Sequence, residues 1–167
     1  MTKIGLISDT HGFLDEAVFK HFEQCDEIWH AGDIGTIEVL DHLKSFKPVR
    51  AVFGNIDGYV IRAELPETME FEVEGLKVLM THIGGYPNKY ESRARRLIEF
   101  YRPGLFICGH SHILRVIYDK KFNLLAMNPG ASGLHGFHKV KTMLRFSISE
   151  GKVHDAEVIE LGSKRLD

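Results

Sequence analysis

Apolar runs and amphipathic stretches alternate along the first third of the chain. Positions 3–7, 27–31 and 49–53 are short runs rich in apolar residues, which predict buried strands. Between them, positions 14–22 and 37–46 carry apolar residues at the spacing of an amphipathic helix. The pattern therefore predicts a β-α-β-α-β unit in which a glycine or a polar residue follows each strand.

The second half of the chain has the pattern of hairpins around one helix. Positions 69–74 alternate apolar residues with glutamates, and a glycine turns the chain into a second apolar run, which predicts a hairpin. A helix follows, for which Asn88 and Glu91 form a predicted capping box. An apolar strand at 105–108 and two further hairpins complete the pattern. We therefore expect an α/β fold, a two-sheet β-sandwich flanked by helices on both outer faces in four layers, as a single domain over residues 1–167.

Composition and charge exclude several classes of protein. Of the 167 residues, 44% are hydrophobic and 26% charged, and Lys plus Arg number 21 against 23 for Asp plus Glu. The net charge of −2 argues against stable nucleic-acid or membrane-surface binding, but it allows a small anionic substrate. No apolar run approaches the roughly 18 residues of a membrane span, and the first run meets Asp9 too early for a signal peptide. Isolated Cys25 and Cys108 predict neither a disulfide framework nor a thiolate zinc site, so we expect a cytoplasmic protein.

Potential metal ligands stand at five successive predicted strand ends. A single histidine at a strand end is usually structural, and a Gly-Asp pair usually forms a turn. Five such ends in succession are hard to explain as turns, and in open α/β proteins this edge of the sheet is where ligands bind. The sequence therefore predicts a metal site with these donors: Asp9, His11, Asp33, Asn55, His82, His110 and His112.

The number and type of the donors indicate two metal ions. Seven donors exceed what one four-coordinate ion uses, and they suit two five- or six-coordinate ions that share a bridging carboxylate. Nitrogen and oxygen donors without a thiolate fit Mn, Fe, Zn, Co or Ni, and disfavour Ca or Mg alone. Two divalent ions held by two carboxylates keep a net positive charge, which attracts a small anionic substrate without a basic patch.

The same residues lie in motifs that resemble those of the calcineurin-like metallophosphoesterases. The motifs are Asp9-x-His11, Gly32-Asp33, Gly54-Asn55-x-Asp57, His82 and Gly109-His110-x-His112. Their order and spacing are similar to those of the small single-domain bacterial and archaeal phosphodiesterase branch, in which the turn Asn128-Pro129-Gly130 is also common. The resemblance spans nearly the whole chain, and the fold that it implies agrees with the pattern.

The resemblance also implies a role for each donor. The implied ligands of the first metal are Asp9, His11 and His112. Those of the second are Asn55, His82 and His110, and the residue that bridges both is Asp33. The implied activity is hydrolysis of a small phosphodiester by a metal-bridging hydroxide, with two divalent transition-metal ions as cofactors and Mn²⁺ as the favoured ion. Asp33 and Asn55 are the implied catalytic residues, and the Asn55 amide can also bind the substrate phosphate.

One position departs from the wider family pattern. Many members have a histidine after the Gly-Asn pair, thought to help protonate the leaving group, where this chain has Ile56. Losing one general acid typically costs about 10²–10⁴-fold, so we expect esters with poor leaving groups to be poor substrates. Asp57 then has no histidine to orient, and it either supports the ligands or forms a turn. His135 or His138 either lines the pocket and replaces the acid, or lies in a solvated loop.

The sequence leaves other functions and surfaces open. The chain could be a phosphomonoesterase, or a non-catalytic interaction scaffold like a eukaryotic retromer subunit that resembles this fold. The full set of donors argues against the scaffold. Arg93, Arg95 and Arg96 form either a solvated helix face or a rim that attracts an anionic substrate. The physiological substrate and a homo-oligomeric state are not decided by the sequence.

Overall fold

The computed structural model describes residues 1–164, so the last three residues of the domain predicted over 1–167 lie outside the described residues. Helices and strands alternate in the first third of the chain, and strands dominate after it. In chain order the elements are β1 (Thr2–Ile7), α1 (Ala17–His21), β2 (Glu27–His30), α2 (Ile37–Phe46), β3 (Val49–Ala51), α3 (Tyr59–Glu64), β4 (Thr68–Val73), β5 (Leu76–Thr81), β6 (Gly85–Tyr86), β7 (Lys89–Tyr90), α4 (Ser92–Tyr101), β8 (Leu105–Ile107), β9 (Leu114–Asp119), β10 (Leu124–Pro129), β11 (Val140–Ser149) and β12 (Lys152–Ser163).

Ten strands in the described part of the chain form two mixed sheets of five. The first sheet has the order β12-β11-β1-β2-β3, and its strands β1, β2 and β3 run parallel. The second sheet has the order β4-β5-β8-β10-β9, and its strands β5, β8 and β10 run parallel. The predicted β-α-β-α-β unit lies in the first sheet. The three predicted hairpins are β4–β5, β9–β10 and β11–β12.

The two sheets pack face to face around a central core that includes Trp29 and Phe146. Burying each of these side chains contributes about 1.5–3 kcal/mol to folding. Helices α1, α2 and α3 supply residues to a second core on the outer face of the first sheet. Helix α4 places Ala94 and Ile98 against Phe106 on the outer face of the second sheet. Helices therefore lie on both outer faces, and the predicted four-layer α/β sandwich is confirmed.

Two local features differ from the sequence prediction. The pattern does not predict α3, because this six-residue helix buries only Ile61 and gives too short a periodic signal. The N-cap of α4 is Glu91 itself, whose carboxylate accepts hydrogen bonds from the backbone N–H groups of Arg93 and Ala94, at 3.0 Å each. Asn88 lies instead in the β6–β7 turn with φ of +74°. The predicted role of Asn88 in a capping box is therefore wrong, since asparagine also suits a left-handed turn.

The cysteines and the helices give two further observations. Cys25 and Cys108 are both free and buried, and burial raises the pKa of the Cys108 thiol to about 12. Among residues 1–164, no helix combines the length and the apolar character that crossing a bilayer requires.

Candidate metal centre

The turns after β1, β2, β5 and β8 are joined by hydrogen bonds. The Asp9 N–H donates to the Gly32 carbonyl at 3.0 Å, and the Gly109 N–H donates to the His82 carbonyl at 2.9 Å. Between the two sheets, the His110 N–H donates to Asp9 Oδ2 at 3.1 Å. The strand ends of both sheets therefore meet at one edge of the sandwich.

The predicted donors come together at this edge in two groups. Within each group the ligand atoms of the carboxylate and imidazole residues all lie within 4.8 Å of one another. The first group consists of Asp9, His11 and His112. The second group consists of Asp33, His82 and His110. Asn55 adjoins the second group, since its Oδ1 lies 3.0 Å from His110 Nδ1. All seven predicted donors thus lie together at this edge of the sandwich.

Five of these seven donors have a left-handed backbone conformation, which residues other than glycine rarely adopt. Their φ angles lie between +46° and +69°, for Asp9, His11, Asp33, His110 and His112. Such conformations cost about 1–3 kcal/mol each and cluster at functional sites. The chain therefore reverses direction immediately after these strands, and the turns bring the donors toward one another.

One oxygen of Asp33 faces both groups. Asp33 Oδ2 lies 3.4 Å from His11 Nε2 in the first group and 3.2 Å from His82 Nε2 in the second. The other oxygen, Oδ1, accepts a hydrogen bond from the Ile56 N–H at 3.0 Å. Asp33 thus has the orientation of a bridging carboxylate, with one oxygen held by the backbone and the other between imidazoles.

Asp9 is held in a similar way. Its Oδ2 accepts hydrogen bonds from the Ser8 hydroxyl at 2.6 Å and from the His110 N–H at 3.1 Å. Its Oδ1 lies 3.1 Å from His112 Nε2 and 3.8 Å from His11 Nε2. Protein donors therefore fix this buried carboxylate through one oxygen and leave the other facing the site.

Three buried polar atoms at the centre of the site have no hydrogen-bond partner among the described residues: Asp9 Oδ1, His11 Nε2 and His82 Nε2. An unpaired buried polar atom costs about 1–3 kcal/mol, so three that converge indicate a ligand. His82 Nδ1 lies 2.8 Å from the Ala31 carbonyl oxygen, which leaves Nε2 free to bind a metal. Carboxylate oxygens and imidazole nitrogens are donors that divalent transition metals accept. The residues present therefore fit a divalent ion in each group.

The electrostatics of the site keep both carboxylates ionised. Burial opposes the ionisation of Asp33, but the neighbouring His82 outweighs it and holds the pKa of this carboxyl below its usual range. Burial likewise opposes the ionisation of Asp9, and His11 and His112 hold its pKa well below the usual range. In return, the Asp9 carboxylate raises the pKa of His11. The carboxylates are thus in the charge state that metal binding requires.

Two glycines allow the turns to approach these carboxylates. A Cβ atom added at Gly54 would collide with the Asp33 carboxylate. One added at Gly109 would collide with the Ser8 hydroxyl and the Asp9 carboxylate. Any side chain at either position would therefore displace a donor.

Asp57 supports the turn that carries Asp33. Its side chain is 2% exposed, and its carboxylate accepts hydrogen bonds from the backbone N–H groups of Gly54 at 2.8 Å, Gly35 at 2.9 Å and Ile34 at 3.2 Å. These three groups belong to the turns after β2 and β3. Asp57 thus ties the two turns together, which decides between the two roles that the sequence leaves open.

A buried hydrogen-bonded chain through His30 lies behind the site, where the sequence pattern indicates only a packed strand residue. His30 Nδ1 accepts from the Gly32 N–H at 3.1 Å, so its proton is on Nε2 and is donated to Thr10 Oγ1 at 3.0 Å. The Thr10 hydroxyl donates in turn to the Ile34 carbonyl at 2.8 Å. The chain connects the turn after β1 with the turn after β2. The only sequence signal for it is the position of His30 two residues before Gly32.

This neutral histidine predicts a pH dependence of stability in the metal-free protein. Burial lowers the pKa of His30 to about 4 from its ordinary value of 6.5. Between these values the unfolded chain binds a proton that the folded chain does not, so the free energy of unfolding falls as the pH is lowered. We expect His30 to contribute about 2 kcal/mol of this loss between pH 7 and pH 5.

The measurement is urea unfolding of metal-free wild type, His30→Asn and His154→Asn at several pH values. His30→Asn should flatten the dependence between pH 7 and pH 5, whereas the exposed His154 should not affect it. Equal pH dependence in wild type and His30→Asn would show that His30 does not remain neutral in the folded state.

The loop of residues 133–138 lies over the first group of donors. His135 stacks on His11 with ring centroids 4.8 Å apart, and His138 meets His112 edge-on at 5.2 Å. His135 is exposed and His138 is half-buried. Both histidines therefore line the site instead of lying in a detached loop.

Of the three arginines on α4 considered as a rim, one faces the site. Arg93 borders a cavity of about 440 Å³ that Asn55 and His82 also line. Arg95 and Arg96 lie exposed, and Arg95 Nε pairs with a carboxylate one helical turn further along α4 at 2.9 Å. Arg93 therefore belongs to the rim of the site, whereas Arg95 and Arg96 belong to a solvated face of α4.

Comparison with known proteins gives a family match over most of the chain. The family model of the calcineurin-like phosphoesterase superfamily domain matches residues 2–151. A protein of Methanothermobacter thermautotrophicus named "probable metallophosphoesterase" is 32% identical over 168 residues, which cover 96% of this chain and 93% of that protein. A protein of Methanocaldococcus jannaschii with the same description is 35% identical over 134 residues, which cover 77% of this chain and 67% of that protein.

Solved structures share the fold. A structure described as a novel archaeal phosphodiesterase matches with a TM-score of 0.78 at 21% identity, over 95% of this chain and 99% of that chain. Vps29 of Entamoeba histolytica, solved in complex with zinc, matches with a TM-score of 0.72 at 17% identity, over 95% of this chain and 98% of that chain. At these identities the likeness shows the fold alone.

Proposed function

Because the chain belongs to the calcineurin-like phosphoesterase superfamily, whose members are metal-dependent phosphoesterases, we propose that it is a phosphodiesterase that uses two divalent metal ions. The observation that carries the proposal is the position of Asp33 Oδ2, 3.4 Å from His11 Nε2 and 3.2 Å from His82 Nε2. A carboxylate oxygen that faces two groups of donors is what two adjacent ions require.

In this proposal each group of donors holds one ion. The first ion is bound by Asp9, His11 and His112. The second is bound by Asn55, His82 and His110, and Asp33 binds both. The unpartnered atoms Asp9 Oδ1, His11 Nε2 and His82 Nε2 support this assignment. Among Mn, Fe, Zn, Co and Ni, we favour Mn²⁺ because carboxylate and amide oxygens stand beside the imidazoles.

When bound, two such ions supply a water nucleophile of lowered pKa and positive charge for the phosphoryl oxygens. The residues of the chain orient the substrate and fix the charge of the site. Asn55 is exposed, and while its Oδ1 faces His110, its NH₂ group can donate to a phosphate oxygen. Two divalent ions carry four positive charges, and the carboxylates of Asp9 and Asp33 would neutralise about two of them. The site would therefore attract a phosphodiester anion.

The proposed substrate is a small phosphodiester with a good leaving group. The Ile56 side chain is 47% exposed directly after Asn55, and it has no proton to give to a leaving group. The motif resemblance to the small phosphodiesterase branch supports a diester over a monoester. A cytoplasmic location and the absence of stable nucleic-acid binding remain parts of this proposal.

Metal removal and reconstitution test the proposed function. We expect chelator-treated protein to be inactive, and added Mn²⁺ to restore hydrolysis of bis-p-nitrophenyl phosphate by about 10²-fold or more, with slower hydrolysis of p-nitrophenyl phosphate. Release of p-nitrophenolate is the measurement, and Ca²⁺, which imidazole binds poorly, is the matched control. No activity on either ester would refute the proposal, and a much faster monoester reaction would identify a phosphatase.

An interaction scaffold is the second candidate, because Vps29 shares the fold. The two candidates differ in metal content after Mn²⁺ loading and removal of free metal. A phosphodiesterase should retain about two ions per chain, since the site has donors for both. Well under one retained ion per chain would favour the scaffold.

A further inference from the structure

A cavity of about 440 Å³ lies directly beside the candidate metal centre, and the proposed hydrolysis makes no use of it. Asn55 and His82 form the wall nearest the metal centre, and Phe53 and Ile83 add apolar surface. Small-molecule sites typically have volumes of about 300–1,000 Å³. The cavity therefore has room for an organic ester group of a substrate whose phosphate lies at the metal centre.

Arg93 is fixed at the border of this cavity by two hydroxyl groups. Its Nη2 donates a hydrogen bond to Thr68 Oγ1 at 2.6 Å, and its Nη1 donates one to Thr81 Oγ1 at 3.3 Å. Thr81 directly precedes His82 in the sequence, and Arg93 and His82 line the same cavity. A guanidinium has five N–H donors in a rigid fork, and two hydroxyl contacts leave donors for an anionic ligand.

Two acidic residues also line the cavity. Glu67 Oε2 lies 3.7 Å from Arg93 Nη2, but the Glu67 side chain is 61% exposed, and an exposed ion pair of this kind is weak. A substrate anion can therefore replace it. Glu91 is engaged as the N-cap of α4, where its carboxylate accepts hydrogen bonds from two backbone N–H groups.

A second guanidinium, that of Arg62, adds positive charge to the lining of the cavity. Arg62 Nε donates to the Asp57 carbonyl at 2.6 Å, and its guanidinium carbon lies 4.5 Å from the centre of the Phe53 ring. These contacts hold Arg62 in place and neutralise none of its charge. Arg95, by contrast, lies on the exposed face of α4 away from this cavity, so it provides a matched control for Arg93.

We propose that this cavity binds one ester group of the substrate, and that Arg93 selects ester groups that carry a second anionic substituent such as a terminal phosphate. This inference rests on the proposed phosphodiesterase activity and names its substrate class. The preferred substrates are then diesters that have a good leaving group and whose other ester group carries a terminal phosphate, with the scissile phosphate at the metal centre and the terminal phosphate in contact with Arg93.

The test compares diesters that differ only in a terminal phosphate. The substrates are thymidine 5′-(p-nitrophenyl phosphate), which has a good leaving group, and the same diester with a phosphate on its 3′ oxygen, both hydrolysed by Mn²⁺-loaded protein. We expect wild type to favour the 3′-phosphorylated diester by about tenfold or more in kcat/KM, because its terminal phosphate gains a charge-assisted hydrogen bond from Arg93. Arg93→Gln should abolish this preference mainly through KM, and Arg95→Gln should retain it.

The outcomes separate this inference from the function on which it rests. A wild type that is inactive on bis-p-nitrophenyl phosphate overturns both. A wild type that hydrolyses this ester but shows no preference between the two thymidine diesters overturns the inference alone. Equal losses on all esters in Arg93→Gln would assign Arg93 a structural role and also overturn it. If Arg93→Gln does not fold, Arg93→Lys replaces it, and we expect it to keep part of the preference because the charge remains without the fork.

Discussion

Replacing Asp33 with asparagine is expected to lower phosphodiesterase activity by about 10³-fold or more, equivalent to about 4 kcal/mol of transition-state stabilisation. The physical reason is the position of Asp33 Oδ2 between His11 and His82. A neutral amide oxygen at this point cannot offset the repulsion between two divalent cations. The measurement is kcat/KM for bis-p-nitrophenyl phosphate in saturating Mn²⁺, together with the number of ions retained per chain, which should fall from about two to one or less.

His82→Ala is the comparison for Asp33→Asn, since it removes a donor of the second group and leaves Asp33 in place. We expect its activity to exceed that of Asp33→Asn by at least about tenfold, because the first group of donors and the bridging carboxylate remain. The Asn side chain can still accept the hydrogen bond from the Ile56 N–H, so unfolding temperatures should change little. Equal losses in the two variants, or an active Asp33→Asn protein with two ions, would contradict the bridging role.

Replacing Asp57 with alanine is expected to lower the free energy of unfolding by about 3–5 kcal/mol. The carboxylate accepts three backbone hydrogen bonds from Ile34, Gly35 and Gly54, and alanine leaves these N–H groups without a partner. The three N–H groups belong to the turns that carry Asp33 and Asn55. Metal affinity should therefore also fall, by about 10–100-fold. Urea unfolding of metal-free protein and titration with Mn²⁺ measure the two effects.

Asp26→Ala is a suitable control, since Asp26 accepts a single hydrogen bond, from the Lys3 N–H at an exposed position. We expect it to cost about 1 kcal/mol or less, with unchanged metal affinity. Asp57→Asn, which retains one acceptor oxygen, should lie between the two alanine variants. A loss for Asp57→Ala no larger than that for Asp26→Ala would show that the turns hold their geometry without Asp57.

The sequence predicts the edge of the sandwich where the donors meet because two local signals coincide there. Asp9 and His82 each follow an apolar run after one intervening polar residue, and strands that run parallel in one sheet end at the same edge. The division of the donors into two sets is what the resemblance in motif order implies, and the structure brings carboxylate and imidazole donors together in two groups. The four-layer fold could also be predicted, because the change from helical to alternating periodicity separates the two halves of the chain.

The supporting contacts could not be predicted, because each joins residues that are distant in the sequence. His30 forms a hydrogen bond with Thr10, which lies 20 positions away in the sequence. Arg93 forms one with Thr68, which lies 25 positions away. Neither contact has a local periodic signal. Asp57 looks like a turn residue until the fold brings the turn after β2 within hydrogen-bonding distance. Short elements such as α3 also could not be predicted, because one buried residue does not define a helical period.

The left-handed backbone of the donors has a consequence for protein design. Grafting the same seven side chains onto the strand ends of another α/β scaffold would reproduce the composition of the site but not its geometry. The turns would also need positive φ angles at positions equivalent to Asp9, His11, Asp33, His110 and His112. A scaffold with ordinary turns would point the carboxylates and imidazoles along other directions, so the loops must be transplanted with the side chains.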